Sequence, residues 1–154
     1  MPNYNVSNTL GGTQQALSTS FKTLANIYAQ TASLRRGKLY DLTVNADGVP
    51  ADTEINFDVS RQTAAGTVTS VTPLPLDPAD TAALSAAGAN ATVEPTITAT
   101  STLLAFGLNQ RATFRWVAAP GSELVWPATN ANGLAIRAKA AAYTSTAQAD
   151  AMFS

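Results

Sequence analysis

Glu54-Ile55-Asn56-Phe57-Asp58-Val59-Ser60 alternates polar and apolar residues without a break. A period of two sets Ile55, Phe57 and Val59 on one face of a strand and Glu54, Asn56, Asp58 and Ser60 on the other, a pattern that a 3.6-residue helical period does not produce. The apolar face must then be covered by other strands. Upstream, Tyr40, Leu42 and Val44 alternate with Asp41, Thr43 and Asn45, and Asp47-Gly48 with Pro50 reads as the loop between the two runs. Downstream, Phe114 and Trp116 alternate with Thr113 and Arg115. These runs predict an all-β domain whose core includes Leu42, Val44, Ile55, Phe57, Val59, Phe114 and Trp116.

The remaining segments extend this reading. Residues 14–29 fit either a helical face or an extended run, and a strand is expected from Lys22 onward. Residues 66–72 form a further strand, ended by Pro73 and Pro75. Asp77-Pro78 resembles a helix cap followed by a first-turn proline, so a short helix is expected over 78–85, inside a loop that runs to Asn90. Residues 91–99 and 101–108 read as two strands or as one bent near Thr100. Strands at 123–126, 134–143 and 148–153 bring the total to about eight to ten. The long 73–90 connection favours a jelly-roll-like antiparallel sandwich over an up-and-down barrel. Residues 1–12 are polar, aperiodic and closed by Gly11-Gly12. They read as an extended arm on a single body, residues 13–154, with Tyr4 and Val6 anchoring the arm on a neighbouring subunit.

Composition narrows the function. Only 12% of the 154 residues are charged, about half the usual share, and small neutral residues take their place. Such a surface is cheap to desolvate and suits lasting contact with protein. Histidine and cysteine are both absent, which removes the usual base near neutral pH, the commonest metal ligands and any thiol nucleophile. With a net charge of -1 and few, scattered cations, nucleic acid is not an expected partner. Arg35, Arg36 and Lys38 read as a solvated turn before a strand. No run approaches the length of a membrane span, and the N-terminus lacks signal-peptide character, so synthesis in a cytoplasm and no membrane partner are expected.

Candidate chemistry is sparse. Glu54 and Asp58 share a strand face, but four residues of strand put them ~13 Å apart, too far for a general acid–base pair. Asp41, Asp47, Asp52 and Glu54 could converge on calcium, yet their spacing fits no EF-hand and Asp-Gly is a common turn. A serine nucleophile would have to rely on Lys22, Lys38 or Lys139. No catalytic residue, metal site or cofactor is expected. Trp116, in phase with Phe114, reads as core, whereas Trp126, beside Pro127 at a strand end, reads as an exposed anchor for an interface or a ligand. Arg111 and Arg115 complete the candidate interface with Tyr4, Val6 and Trp126.

Several phrases are familiar together: Leu39-Tyr40-Asp41-Leu42, Pro50-Ala51-Asp52, Arg61-Gln62-Thr63-Ala64-Ala65-Gly66-Thr67, Leu76-Asp77-Pro78, Glu94-Pro95, Asn109-Gln110-Arg111-Ala112-Thr113, Arg115-Trp116-Val117 and Gly121-Ser122-Glu123-Leu124. They resemble small structural proteins of tailed bacteriophages, the capsid decoration or cement proteins with a jelly-roll body. That resemblance implies attachment to the major capsid protein on the outer surface of the virion, as a trimer in preference to a dimer. It carries over no catalytic residue. The competing readings are a receptor- or glycan-binding module of a head or tail fibre, and a carboxylate-dependent hydrolase.

Overall fold

The computed structural model describes residues 2–47, 51–141 and 144–154. Met1, the Gly48 and Pro50 part of the expected loop, and the end of the strand expected to reach Tyr143 lie outside those residues. The described chain forms β1 (Tyr4–Ser7), β2 (Gln15–Ala16), β3 (Lys22–Ala29), β4 (Gly37–Asp47), β5 (Glu54–Ala64), β6 (Thr67–Val71) and β7 (Leu74–Pro75). It continues with β8 (Ser85–Val93), β9 (Thr96–Asn109), β10 (Thr113–Val117), β11 (Leu124–Trp126), β12 (Gly133–Ala140) and β13 (Thr146–Phe153). All pairings between these strands are antiparallel.

The strands make two sheets. One runs β10-β4-β13-β1-β7, with β11 beside β4 and β2 beside β13; the other runs β6-β8-β3-β12-β5-β9. Pairing is nested: β1 joins β13, β3 joins β12, β4 joins β10 and β5 joins β9. The core lies between the sheets, where Leu42, Val44 and Phe153 meet Ile55, Phe57, Val59, Leu134 and Ile136. Five of the seven expected core residues are buried. Phe114 and Trp116 are half-buried and pack against the core from β10, the strand at the sheet's edge.

Local irregularities explain several departures from the sequence pattern. In β4 the pairing with β13 shifts by a residue between Asp41 and Leu39. A bulge moves the following side chains to the opposite face. Leu39, not Tyr40, therefore joins Leu42 in the core. The segment 78–85 contains no helix. Asp77 instead closes a turn, its Oδ1 accepting from the Ala79 amide at 2.9 Å and its carbonyl from the Asp80 amide at 2.9 Å. An Asp side chain that satisfies its own turn offers the backbone an alternative to a helix.

The β5–β9 pair continues into the β6–β8 pair through only Ala65-Gly66 on one side and Glu94-Pro95 on the other. This ribbon folds back so that β8 pairs with β3. Gly66 turns the corner with φ +69°, and a β-carbon there would lie 2.3 Å from the Val93 carbonyl oxygen. No other residue fits that site without moving the backbone. Glu94 holds the corner down, its Oε2 accepting from the Thr23 amide at 2.9 Å and the Thr23 hydroxyl at 2.6 Å. The bend expected near Thr100 falls inside β9, where that residue takes φ +54°.

Candidate interaction surface

The first correction concerns residues 1–12. Tyr4–Ser7 is not a free arm but an inner strand, hydrogen-bonded to β13 on one side and β7 on the other. Tyr4 is 8% exposed and Val6 2%, so neither can anchor on a neighbour. The Tyr4 ring packs on Phe153 at 5.6 Å and its hydroxyl donates to the Thr81 carbonyl at 2.9 Å. Asn8 completes the attachment. Its Oδ1 accepts from the Ala149 amide at 2.8 Å, and its Nδ2 donates to Asn90 Oδ1 at 2.9 Å. A four-residue strand carries too little alternation to be recognised by period alone.

Trp126 is the second correction. The expected anchor is completely buried, edge-on to Phe153 at 5.7 Å. Its register partner on β4 is Gly37, where a β-carbon would lie 2.1 Å from Trp126 Cζ2. The glycine makes room for the indole, and that complementarity between positions 37 and 126 was the signal missed in the sequence.

The arginines of the candidate interface do reach the surface. Arg111 Nε donates to Asp52 Oδ1 at 2.9 Å, and both side chains are largely exposed. Arg115 grips Asp41 with Nε, at 2.9 Å to Oδ1, and with Nη2. These hydrogen bonds and the aspartate charge raise the Arg115 pKa above its ordinary value. The five residues do not form one patch: three are core, and the two arginines sit on the β9–β10 side.

The acids expected to face solvent on β5 are handled differently from one another. Glu54 is exposed, whereas Asp58 and Ser60 are buried. Arg137 covers Asp58, with Nε donating to Oδ1 at 2.8 Å and Nη2 to Oδ2, and stacks its guanidinium 4.6 Å over the Phe21 ring. Alternation reveals which way a side chain points, not what lies on top of it. Asp58 is therefore engaged with a cation, away from any acid pair. Of the supposed calcium cluster, Asp41 and Asp52 are each paired with an arginine. Among the described residues no three acidic side chains converge as metal ligands would.

On the outer face of the first sheet, burial raises the Asp150 pKa, the Asn5 hydrogen bond partly offsets that, and the Asp41 charge adds to the rise. Asn5 Oδ1 and Asp150 Oδ1 are both buried without a hydrogen-bond partner.

The flank formed by β9 and β10 is open. Phe106, on β9, stacks at 5.7 Å on buried Phe57 and lies 4.6 Å from Phe114 on β10. Phe106, Leu108, Phe114 and Trp116 all remain partly accessible. The β9 edge spans 14 residues, Thr96–Asn109, with no charged residue and no proline. Charge and proline are two of the devices that guard natural edge strands; a third, the bulge, does interrupt the β5–β9 pairing between Val59 and Ala64.

The chain matches no protein-family model, no curated protein and no solved structure. What its structure defines is a two-sheet β-sandwich whose long β9 edge carries no charge and no proline.

Proposed function

We propose that the chain is a structural virion protein, a capsid decoration protein that binds the outside of a phage shell and stabilises it by bridging coat subunits. The observation that carries this reading is the open β9–β10 flank, an uncharged edge above half-exposed aromatic side chains on a chain with few charges. That surface favours lasting burial against protein. The nested strand pairing supports a jelly-roll body, and the turn and strand phrases supply the resemblance to cement proteins. Self-association as a trimer would cover part of the flank, leaving the major capsid protein as the second partner. A ligand that binds only the assembled shell stabilises it by mass action, so internal pressure must break its contacts as well as those between coat subunits.

The glycan-binding alternative loses half of its expected aromatic platform, because Trp126 lies in the core, and Trp116 is half-buried against that core. The test mixes purified protein with undecorated capsids and reads occupancy, together with the temperature at which DNA is released. Saturable occupancy and a higher release temperature are expected, and light scattering of the free protein should give the trimer mass. Retention on glycans with no capsid occupancy would sink the proposal.

A further inference from the structure

Of the chain's nine cationic residues, seven have a local counterpart. Lys22 meets Glu94, Arg111 meets Asp52, Arg115 meets Asp41 and Arg137 meets Asp58. Arg61 donates to the Val125 carbonyl, Lys139 lies over the Phe21 ring, and Lys38 is close enough to Glu123 to lower that acid's pKa, though less than backbone hydrogen bonds do. Arg35 and Arg36 have no ion pair, side-chain hydrogen bond or ring contact among the described residues, and both are exposed.

They also border a concavity. A hollow of about 330 Å³ has Arg35 and Arg36 in its wall, with Tyr4, Leu84 and Phe153 as apolar lining. A second, of about 450 Å³, is lined by Arg36 again with Arg61, Val125 and Pro127. Arg36 therefore belongs to both. Two hollows that share an arginine read as one trough, with Arg36 where they meet and apolar side chains in the lining of each.

We propose that this trough binds an acidic, extended segment of a partner protein. The inference rests on reading the chain as a protein-binding component and supplies a chemistry for its partner. A carboxylate takes the guanidinium groups of Arg35 and Arg36 in paired hydrogen bonds, the geometry for which arginine is suited. Alternate residues of an extended chain point the same way and lie about 6.6 to 7 Å apart. One acidic side chain at Arg36 therefore places an apolar neighbour toward the exposed Leu84 and another toward Val125 and Pro127. A bare phosphate would leave the apolar walls uncovered.

The test uses the whole protein and the peptide acetyl-Leu-Thr-Glu-Thr-Val-amide, with binding followed through the arginine side-chain NMR resonances and by calorimetry. The expected result is saturable binding that shifts Arg35 and Arg36. Arg36→Gln should weaken binding about tenfold or more, as should replacing the peptide's glutamate by glutamine, while Lys22→Gln, at a cation outside both hollows, leaves affinity unchanged. Melting curves check that the variants remain folded. No saturable binding at millimolar peptide, equal affinity for the glutamine peptide, or sialyllactose rather than peptide shifting these resonances would each overturn the proposal. Capsid occupancy measured on the same variants separates the two readings: occupancy that persists without peptide binding removes this site and leaves the decoration function standing.

Discussion

The outer faces of the two sheets each hold an aspartate gripped by an arginine, and burial makes the two pairs differ. On the β5–β12 face, Asp58 and Arg137 have side chains only 4% and 15% exposed. On the β4–β10 face, Asp41 is 7% exposed but Arg115 is 62% exposed, and Asp150 supplies a second, unmatched carboxyl nearby. Water can replace Arg115 as it cannot replace Arg137. Identical chemistry thus gives a structural lock on one sheet and a solvent-screened contact on the other.

The strongest way to break this comparison is Arg137→Ala, which leaves Asp58 buried without its cation and should cost ~3 to 5 kcal/mol in denaturant unfolding. A loss no larger than that of Arg115→Ala would mean that the locked pair is not locked. Replacing Asp58 and Arg137 together by apolar residues of similar volume should recover most of the loss, because removal of both charges leaves none stranded.

Gly37→Ala probes the first sheet's interior instead of its outer face. The added methyl meets Trp126, so a loss of ~1 to 3 kcal/mol is expected, measured the same way. An unchanged stability would show that the indole can shift, and that the first sheet is held less firmly than its burial implies.

Arg115→Ala should have a smaller effect than Arg137→Ala, read as a modest drop in melting temperature that lessens at high salt. Water already reaches Arg115, and removal of that exposed side chain opens Asp41 to water as well, so little charge is left stranded. A drop as large as that of Arg137→Ala, or one insensitive to salt, would erase the distinction between the sheets.

Asp150→Asn sharpens the comparison in the opposite direction. Because burial raises the folded-state pKa of Asp150 above its ordinary 3.8, the native protein holds that proton more tightly than the unfolded chain does. Ionisation therefore costs stability as the pH rises from about 3.8 through the raised value. The amide variant should melt higher than the parent at pH 7, and the gain should vanish below the ordinary carboxyl range, where both forms are neutral. An asparagine can also accept from Asn5 and donate to its unsatisfied oxygen. A variant that melts lower at neutral pH would show that the carboxylate is well solvated.

The sequence was most legible where period and partner agreed. Ile55, Phe57 and Val59 alternate in one strand and are buried as the pattern requires. Val44 and Leu42 follow the same rule, but Tyr40 does not, since a bulge is a matter of pairing with β13. The candidate interface was the least legible part. Tyr4, Val6 and Trp126 are conspicuous because they interrupt polar or proline-containing stretches, and that conspicuousness reflects their inner positions beside β13 and Gly37. Arg35 and Arg36 looked like an ordinary solvated turn, because nothing in their neighbours along the chain announces the approach of Tyr4, Phe153 and Arg61.

Alternation of side chains and turn residues were enough to determine an all-β chain and most of its strands. These are local properties, set within a few residues by the geometry of the extended backbone and the chemistry each side chain carries. Tertiary structure alone decided that 4–7 would be an inner strand, that Trp126 would be core, that Asp58 would be covered by Arg137 and that Arg36 would stand between two hollows. Each of those outcomes depends on which distant segment comes to lie alongside, because burial and ion pairing are fixed by neighbours in space, and antiparallel pairing brings together residues that the chain itself keeps far apart.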